Sequence, residues 1–225
     1  MSGITIAIDG PAASGKSTTA GRVARELGYH HLNSGLVYRA ITWNALEGGW
    51  PEDETSFEET LRDLDLKLER CGSGFRVLVH GVDPGVSLVA PATSARVSEV
   101  AAMPAVRERV LRLLREEGSR GGIVCDGRDI GTVVFPRAEL KVFLVATPEE
   151  RGRRRLLDHG LEPTEEAVRE EARRLTERDA ADSSRAVAPL RQAGDAVLVD
   201  TTKMSADEVV ERIVALAIER GAPIG

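Results

Sequence analysis

Aromatic side chains are scarce in this sequence of 225 residues, at 4%, and sulfur is scarcer still, with two cysteines and three methionines. Cys71 and Cys125 lie far apart and form no C-x-x-C or Cys/His cluster, which excludes a zinc site and a disulfide scaffold. They read as free thiols of a reducing compartment, the cytoplasm. No apolar run approaches the roughly 20 residues of a membrane span. Met1-Ser2-Gly3-Ile4 lacks the basic and apolar regions of a secretory signal, so neither a membrane protein nor an exported one is expected. Positive charge is not in surplus either: the formal charge is -6, which argues against nucleic-acid binding, since that needs a basic face. The four histidines, His30, His31, His80 and His159, show no arrangement suited to proton abstraction and read as structural or solvated. Lysine is rare as well. Of the 30 basic residues 26 are arginine, a bias that fits bidentate phosphate binding and equally the base composition of a genome.

What is present suffices for one domain with an insertion: 42% of residues are apolar and 29% charged. Ile4 to Asp9 is rich in β-branched residues and stops at Gly10-Pro11, after which Lys16 to Leu27 has helical spacing and ends at Gly28. Leu36 to Leu46 reads as a second helix, and Ser56-Phe57-Glu58-Glu59 as a capping box that opens a third. Between Leu64 and Val89 the period changes to two, with Cys71-Gly72-Ser73-Gly74 as the turn. This segment reads as an antiparallel hairpin in an inserted subdomain, outside the main sheet and ending near Pro91. Helical spacing returns at Val97 to Ala102 and Ala105 to Arg115. Gly122 to Asp126 reads as a strand ending on an acid, Leu140 to Ala146 as a central strand, and Ala196 to Val199 as the last one. Helices are predicted from Thr147-Pro148, from Thr164 into Asp179, and from the cap Ser205-Ala206-Asp207-Glu208. Strand-then-helix alternation predicts a three-layer α/β fold around a parallel sheet.

Gly10-Pro11-Ala12-Ala13-Ser14-Gly15-Lys16-Ser17 matches G-x-x-x-x-G-K-[ST] and sits where a phosphate-binding loop must, after a strand and at the start of a helix. Glycines let backbone N–H groups converge on a phosphate, the helix N-terminus adds positive potential, Lys16 adds a full charge and Ser17 can hold Mg2+. Thr18 is the next residue of the cradle. No G-x-G-x-x-G follows the strand, which disfavours a dinucleotide-binding fold, and the N-K-x-D that reads guanine in signalling GTPases is missing.

Downstream, arginines and acids or serines recur in sets: Ser34 with Arg39, Ser98 with Arg107, Asp126-Gly127-Arg128-Asp129, and Arg178-Asp179 with Asp182 and Arg185. Singly, each could be surface charge. Several lie at inferred strand ends and loops, where α/β proteins place ligands. The strings Asn33-Ser34-Gly35-Leu36-Val37-Tyr38-Arg39, Val100 to Arg107, Asp126-Gly127-Arg128-Asp129-Ile130-Gly131-Thr132-Val133-Val134-Phe135-Pro136 and Arg178 to Arg185 together resemble the bacterial cytidylate kinase family. The likeness runs nearly end to end in order and spacing. It implies a cytoplasmic P-loop enzyme that transfers the γ-phosphoryl group of ATP to CMP or dCMP with Mg2+. A core of residues 1–35, 111–150 and 180–225 would carry a monophosphate-binding insertion, 36–110, and a short lid, 150–180. Two departures from the family pattern are Asn33, where relatives have an acid, and Leu88-Val89-Ala90, where relatives have an arginine.

The chemistry is consistent with that resemblance. A phosphate monoester is mostly dianionic near pH 7, so the acceptor oxygen needs no general base. ATP and CMP together leave roughly -4 after one Mg2+, and about four protein cations are wanted. Lys16 is the first. By resemblance Arg39, Arg128 and Arg178 meet the acceptor phosphate or transferred group, and Ser34 helps to seat the monophosphate. Arg154 and Arg155 would reach ATP from the lid; alternatively they form a solvated helix face with i,i+4 glutamates. Asp126 could orient Mg2+ through water or make a structural hydrogen bond only. Cytosine offers an amino donor beside acceptors, which Asp129 and Ser98 with Arg107 could read. Asp182 would accept from the ribose, and Arg185 would fix sugar or base. The enzyme is expected to act as a monomer on small nucleotides. A kinase for another acceptor, such as UMP or a sugar acid, an ATP-driven switch and a nucleic-acid-binding module remain as alternatives.

Overall fold

A computed structural model describes residues 3–223; Met1, Ser2, Ile224 and Gly225, and with them the start of the N-terminal segment read above, lie outside the described residues. The strands are β1 (Thr5–Asp9), β2 (His30–Asn33), β3 (Leu66–Cys71), β4 (Gly74–Val79), β5 (Ile123–Gly127), β6 (Leu140–Val145) and β7 (Val197–Asp200). They form one sheet in the order β3-β4-β2-β5-β1-β6-β7, parallel except for the β3/β4 hairpin. The helices are α1 (Lys16–Glu26), α2 (Ser34–Glu47), α3 (Glu54–Asp63), α4 (Pro91–Val100), α5 (Pro104–Gly118), α6 (Pro148–Asp158), α7 (Glu165–Ser183) and α8 (Ala206–Glu219).

Successive strand residues point to opposite faces, and β1 shows the consequence directly. Ile6 and Ile8 pack with Val23 of α1 and Ile213 of α8, while Ala7 packs on the other face with Val37 of α2 and Val110 of α5. Helices therefore cover both faces of the sheet, and the middle strands β5, β1 and β6 are largely apolar and buried.

Three local readings are corrected by the structure. The hairpin is not outside the main sheet: β4 joins the edge of β2 through a single parallel pair, His31 with Gly74, supported by His31 N–H donating to the Ser73 carbonyl at 2.8 Å. One pair is too short a ladder to leave a periodic signature. Ser56 does not start α3. Asp53 is the N-cap, its carboxylate accepting from Ser56 N–H at 2.8 Å while Ser56 Oγ accepts from Asp53 N–H at 3.1 Å, so the reciprocal box begins three residues earlier than Ser-x-x-Glu suggested. Pro91 does not close the hairpin segment but occupies the first position of α4, where its missing N–H costs nothing.

Helices α6 and α7 form an antiparallel pair beside the sheet's carboxyl edge. Gly152 permits their close approach, since a Cβ there would lie 2.8 Å from the Val168 carbonyl oxygen. Thr147 caps α6 and Thr164 caps α7.

Candidate active site

Register brings three strand ends level. Asp9 of β1 pairs with Gly127 of β5, and Asn33 of β2 pairs with Asp126. The residues that follow, Gly10, Arg128 and Ser34, therefore leave the sheet side by side at its carboxyl edge, the place where parallel α/β sheets bind ligands.

The loop after β1 is built for an anion. Gly10 has φ +151°, and a Cβ there would sit 2.1 Å from the Leu144 carbonyl oxygen, so only glycine passes. Gly15, at φ +87°, is the N-cap of α1 and offers no side chain to its amides; α1 also has no acid in its first turn. Helices α3, α6, α7 and α8 all have both a side-chain cap and first-turn acids. The free amides of α1 are thus left for an external anion. Lys16 is buried, with Nζ donating to the Pro11 carbonyl at 2.5 Å and to Ser14 Oγ at 3.3 Å. Burial first, then the Arg128 charge, hold its ammonium well below the usual lysine range. A phosphate beside it would restore the charged form.

Ser17 Oγ donates to Asp126 Oδ2 at 2.6 Å, Asn33 Nδ2 donates to Ser17 Oγ at 3.2 Å, and His31 Nε2 meets Asp126 Oδ1 at 2.7 Å. Hydroxyl and carboxylate oxygens are hard donors that suit Mg2+. Among the described residues no group of three or more His, Cys, Asp or Glu could hold a metal. Ser17 Oγ and the Asp126 carboxylate fit a hard ion that completes its shell with phosphate and water oxygens. Asn33 also accepts from Leu36 N–H at 3.2 Å as the cap of α2, a task asparagine performs as well as an acid, so that departure leaves the helix start intact.

Across the cleft stands a cluster of guanidinium groups. Arg39 of α2 donates to the Leu88 carbonyl at 3.0 Å and to Ser94 Oγ at 2.7 Å. Burial, and then Arg178, Arg155 and Arg128, draw its pKa down to about 10. Arg178 of α7 is lowered by burial and by Arg128, and its Nε is buried without a hydrogen-bond partner. Like charges crowded around one opening make a polyanion site. Asp182 accepts from Arg128 Nε at 3.0 Å and pairs with Arg185; Asp129 pairs with Arg107, which also donates to the Ala101 carbonyl at 3.1 Å. Burial raises the Asp129 carboxyl, and Arg107 and Arg185 pull it back. Ser34 Oγ donates to the Asp126 carbonyl at 2.8 Å.

One cleft of about 400 Å³ runs from the glycine loop to this cluster, within the usual size for a small-molecule site. Ala12, Ala13, Gly15, Lys16, Ser17, Thr18, Ser34, Arg39, Ser98, Arg107, Arg128, Asp129, Arg155, Arg178, Asp182 and Arg185 all line it. Gly10, Pro11 and Ser14 shape the loop from behind. Arg154 donates to Glu150 at 2.9 Å and to Thr201 Oγ1 and the Thr201 carbonyl at 3.0 and 2.7 Å, with its guanidinium beside the glycine loop, 3.7 Å from where a Cβ on Gly15 would lie.

The sequence reading gave no role to several neighbours of the site. Asn33, Tyr38, Val97, Ala101 and Asp158 also line the cleft. Asp179 accepts from Ala12 N–H at 2.8 Å, while Arg151 donates to the Ala12 carbonyl at 3.0 Å and pairs with Asp179, tying α6 and α7 to the loop. Asp9 is 4% exposed, and its two oxygens accept from Ile130 N–H at 2.8 Å and Gly131 N–H at 2.7 Å. Only its position just before the loop hinted at a role.

Burial pushes the Asp9 carboxyl from 3.8 up to about 6, against the pull of those two amides. Between these pH values the folded chain holds a proton that the unfolded chain has released. Asp9 thus contributes a loss of stability as pH rises from about 4 to about 6, on the order of 3 kcal/mol, complete above that window. Thermal melts of the unsubstituted protein and of Asp9→Asn across pH 4 to 7 check this. The variant's relative stability should climb through the window; a difference independent of pH contradicts the shift.

Fold and cleft define the class first: a P-loop phosphotransferase, with the glycine loop on one wall of its cleft and a cluster of guanidinium groups on the other. Residues 6–219 match the family model for cytidylate kinase. Curated relatives agree over nearly the full length. The cytidylate kinase of Geobacillus kaustophilus is 47% identical, over 96% of this chain and 97% of that protein. That of Anoxybacillus flavithermus is 45% identical with the same coverage. A solved structure of an uncharacterized protein from Eubacterium ventriosum shares the fold at a TM-score of 0.54 and 11% identity, over 96% of this chain and 98% of that one. The chain belongs to the cytidylate kinase family, and it is accordingly a nucleoside monophosphate kinase.

Proposed function

We propose that this enzyme moves the γ-phosphoryl group of ATP onto CMP or dCMP, giving ADP and CDP or dCDP, by alignment and charge compensation with no general base. The observation that carries the reading is the single cleft joining Lys16 and the α1 amides to the Arg107/Asp129 pair. Lys16 and the loop amides hold the donor phosphates. Arg39, Arg128 and Arg178 take the acceptor phosphate and the charge that spreads over the transferred group, with Arg155 closing from the α6/α7 side. Mg2+, when bound, neutralises donor-phosphate charge; Ser17 Oγ would hold it and Asp126 would orient it through water. Asp129, Ser98 and Arg107 read the cytosine edge, Asp182 with Arg185 holds the ribose, and Ser34 seats the monophosphate. Residues 36–110 act as the monophosphate-binding insertion and 150–180 as the lid. No described helix is long and apolar enough to cross a membrane. The net charge of -6 disfavours nucleic acid as a partner, and the family supports small nucleotides in the cytoplasm.

An ADP-release assay across CMP, dCMP, UMP and AMP tests the acceptor. CMP and dCMP should exceed UMP in kcat/KM by at least about 10²-fold, because uracil sets a carbonyl oxygen against the Asp129 carboxylate. Equal rates with UMP would defeat the base assignment.

A further inference from the structure

Asp9 is a buried charged side chain beside the cleft to which the mechanism above gives no task. Asp9 has no ion-pair partner among the described residues, and both its oxygens are committed to backbone amides more than 120 positions away in sequence. We propose that Asp9 is a positioning residue that locks the Arg128–Asp129 segment to the root of the phosphate cradle and so sets donor and acceptor in line.

The covalent chain makes the connection short at both ends. Asp9 is bonded to Gly10, whose backbone runs so close to β6 that a Cβ there would stand 2.1 Å from the Leu144 carbonyl oxygen. Ile130 is bonded to Asp129, and Arg128 precedes it. The β1/β5 ladder ends at the Asp9 and Gly127 pair, so beyond that level the two carboxylate bonds replace strand pairing as the tie between the loops. A bidentate grip by two consecutive amides fixes orientation as well as distance, and sub-ångström placement of reacting groups governs in-line transfer. A buried carboxylate without a cationic partner is also a poor stability device. Hydrophobic packing would serve that purpose better at the end of an apolar strand.

This inference rests on the reading of Arg128 and Asp129 as acceptor contacts, so its test is run beside Arg128→Ala. Asp9→Asn keeps the shape, loses the charge and turns one acceptor into a donor facing an N–H group. The readouts are kcat, the CMP to UMP ratio of kcat/KM, the ADP dissociation constant and the melting temperature. Expected for Asp9→Asn are a fall in kcat of about 30- to 100-fold, a CMP to UMP ratio lowered about tenfold, and ADP affinity within about threefold. Mere loss of folded enzyme would scale CMP and UMP turnover alike and leave the ratio unchanged, and that result overturns the proposal. If Asp9→Asn fails to fold, Asp9→Ser, which leaves room for a water to bridge the amides, is read in the same way. Failure of both to fold assigns Asp9 a purely structural role and also overturns it. Normal turnover in Asp9→Asn with severe loss in Arg128→Ala sinks only the Asp9 proposal, whereas normal turnover in Arg128→Ala sinks the acceptor reading beneath it.

Discussion

Arg128→Ala should lower kcat with CMP by about 10³-fold while leaving ATP affinity within a few-fold and the melting temperature nearly unchanged. The size follows from where the guanidinium stands. It lies between Lys16, whose ammonium is depressed by burial and then by the Arg128 charge, and the Arg39/Arg178 cluster, so it stands where donor and acceptor phosphates approach each other. Removing it withdraws charge compensation where negative charge concentrates in the transition state. Folding is spared because Asp182 keeps Arg185 as a partner when Arg128 is gone. Arg128→Lys should recover only part of the activity, since an ammonium offers a point charge where a planar fork is needed. Steady-state kinetics with separate nucleotide titrations check the result. A drop in ATP affinity equal to the drop in turnover would place Arg128 on the donor alone.

Asp129→Asn should shift acceptor choice more than any other single change. The carboxylate is buried against Arg107, so truncation to alanine would strand a buried guanidinium and damage folding. Asparagine keeps the volume. Its amide can still accept from a cytosine amino group, and by rotating it can donate to the uracil carbonyl, which the carboxylate could not. The expected outcome is a fall of about 10²-fold in kcat/KM for CMP and a rise for UMP, shrinking the ratio by about 10³-fold or more. Competition assays with both acceptors measure the ratio directly; an unchanged ratio with reduced rates would show that Asp129 supports the fold and does not read the base.

Much of this was legible in the sequence because the decisive signals are local. The glycine loop announces itself by residue types that its backbone geometry demands, and β1, α1, β5, β6 and the caps Thr147, Thr164 and Ser205 stand where periodicity and capping chemistry put them. The arginine sets were visible as composition, yet their convergence on one opening depends on the register of β1, β2 and β5, which no local pattern encodes. The hairpin's attachment to the sheet escaped because it rests on one residue pair, His31 with Gly74. Helix α4 was read six residues short: Ala92-Thr93-Ser94-Ala95 is small and polar and leaves little hydrophobic period to follow. Arg154 and Arg155 are adjacent in sequence, but helical rotation sets Arg154 on Thr201 beside the glycine loop and Arg155 in the cleft. Asp9 and Asp179 act on backbone amides far away in the chain, and a carboxylate that serves a main chain carries no motif.

The most direct measurement is a crystal structure with CMP and a non-hydrolysable ATP analogue bound together. The nucleotide monophosphate should lie with its phosphate on Arg39, Arg128 and Arg178 and its amino group on Asp129, and the analogue's phosphates should rest on the α1 amides and Lys16. CMP bound with its base among the arginines, or outside the cleft altogether, would contradict the account.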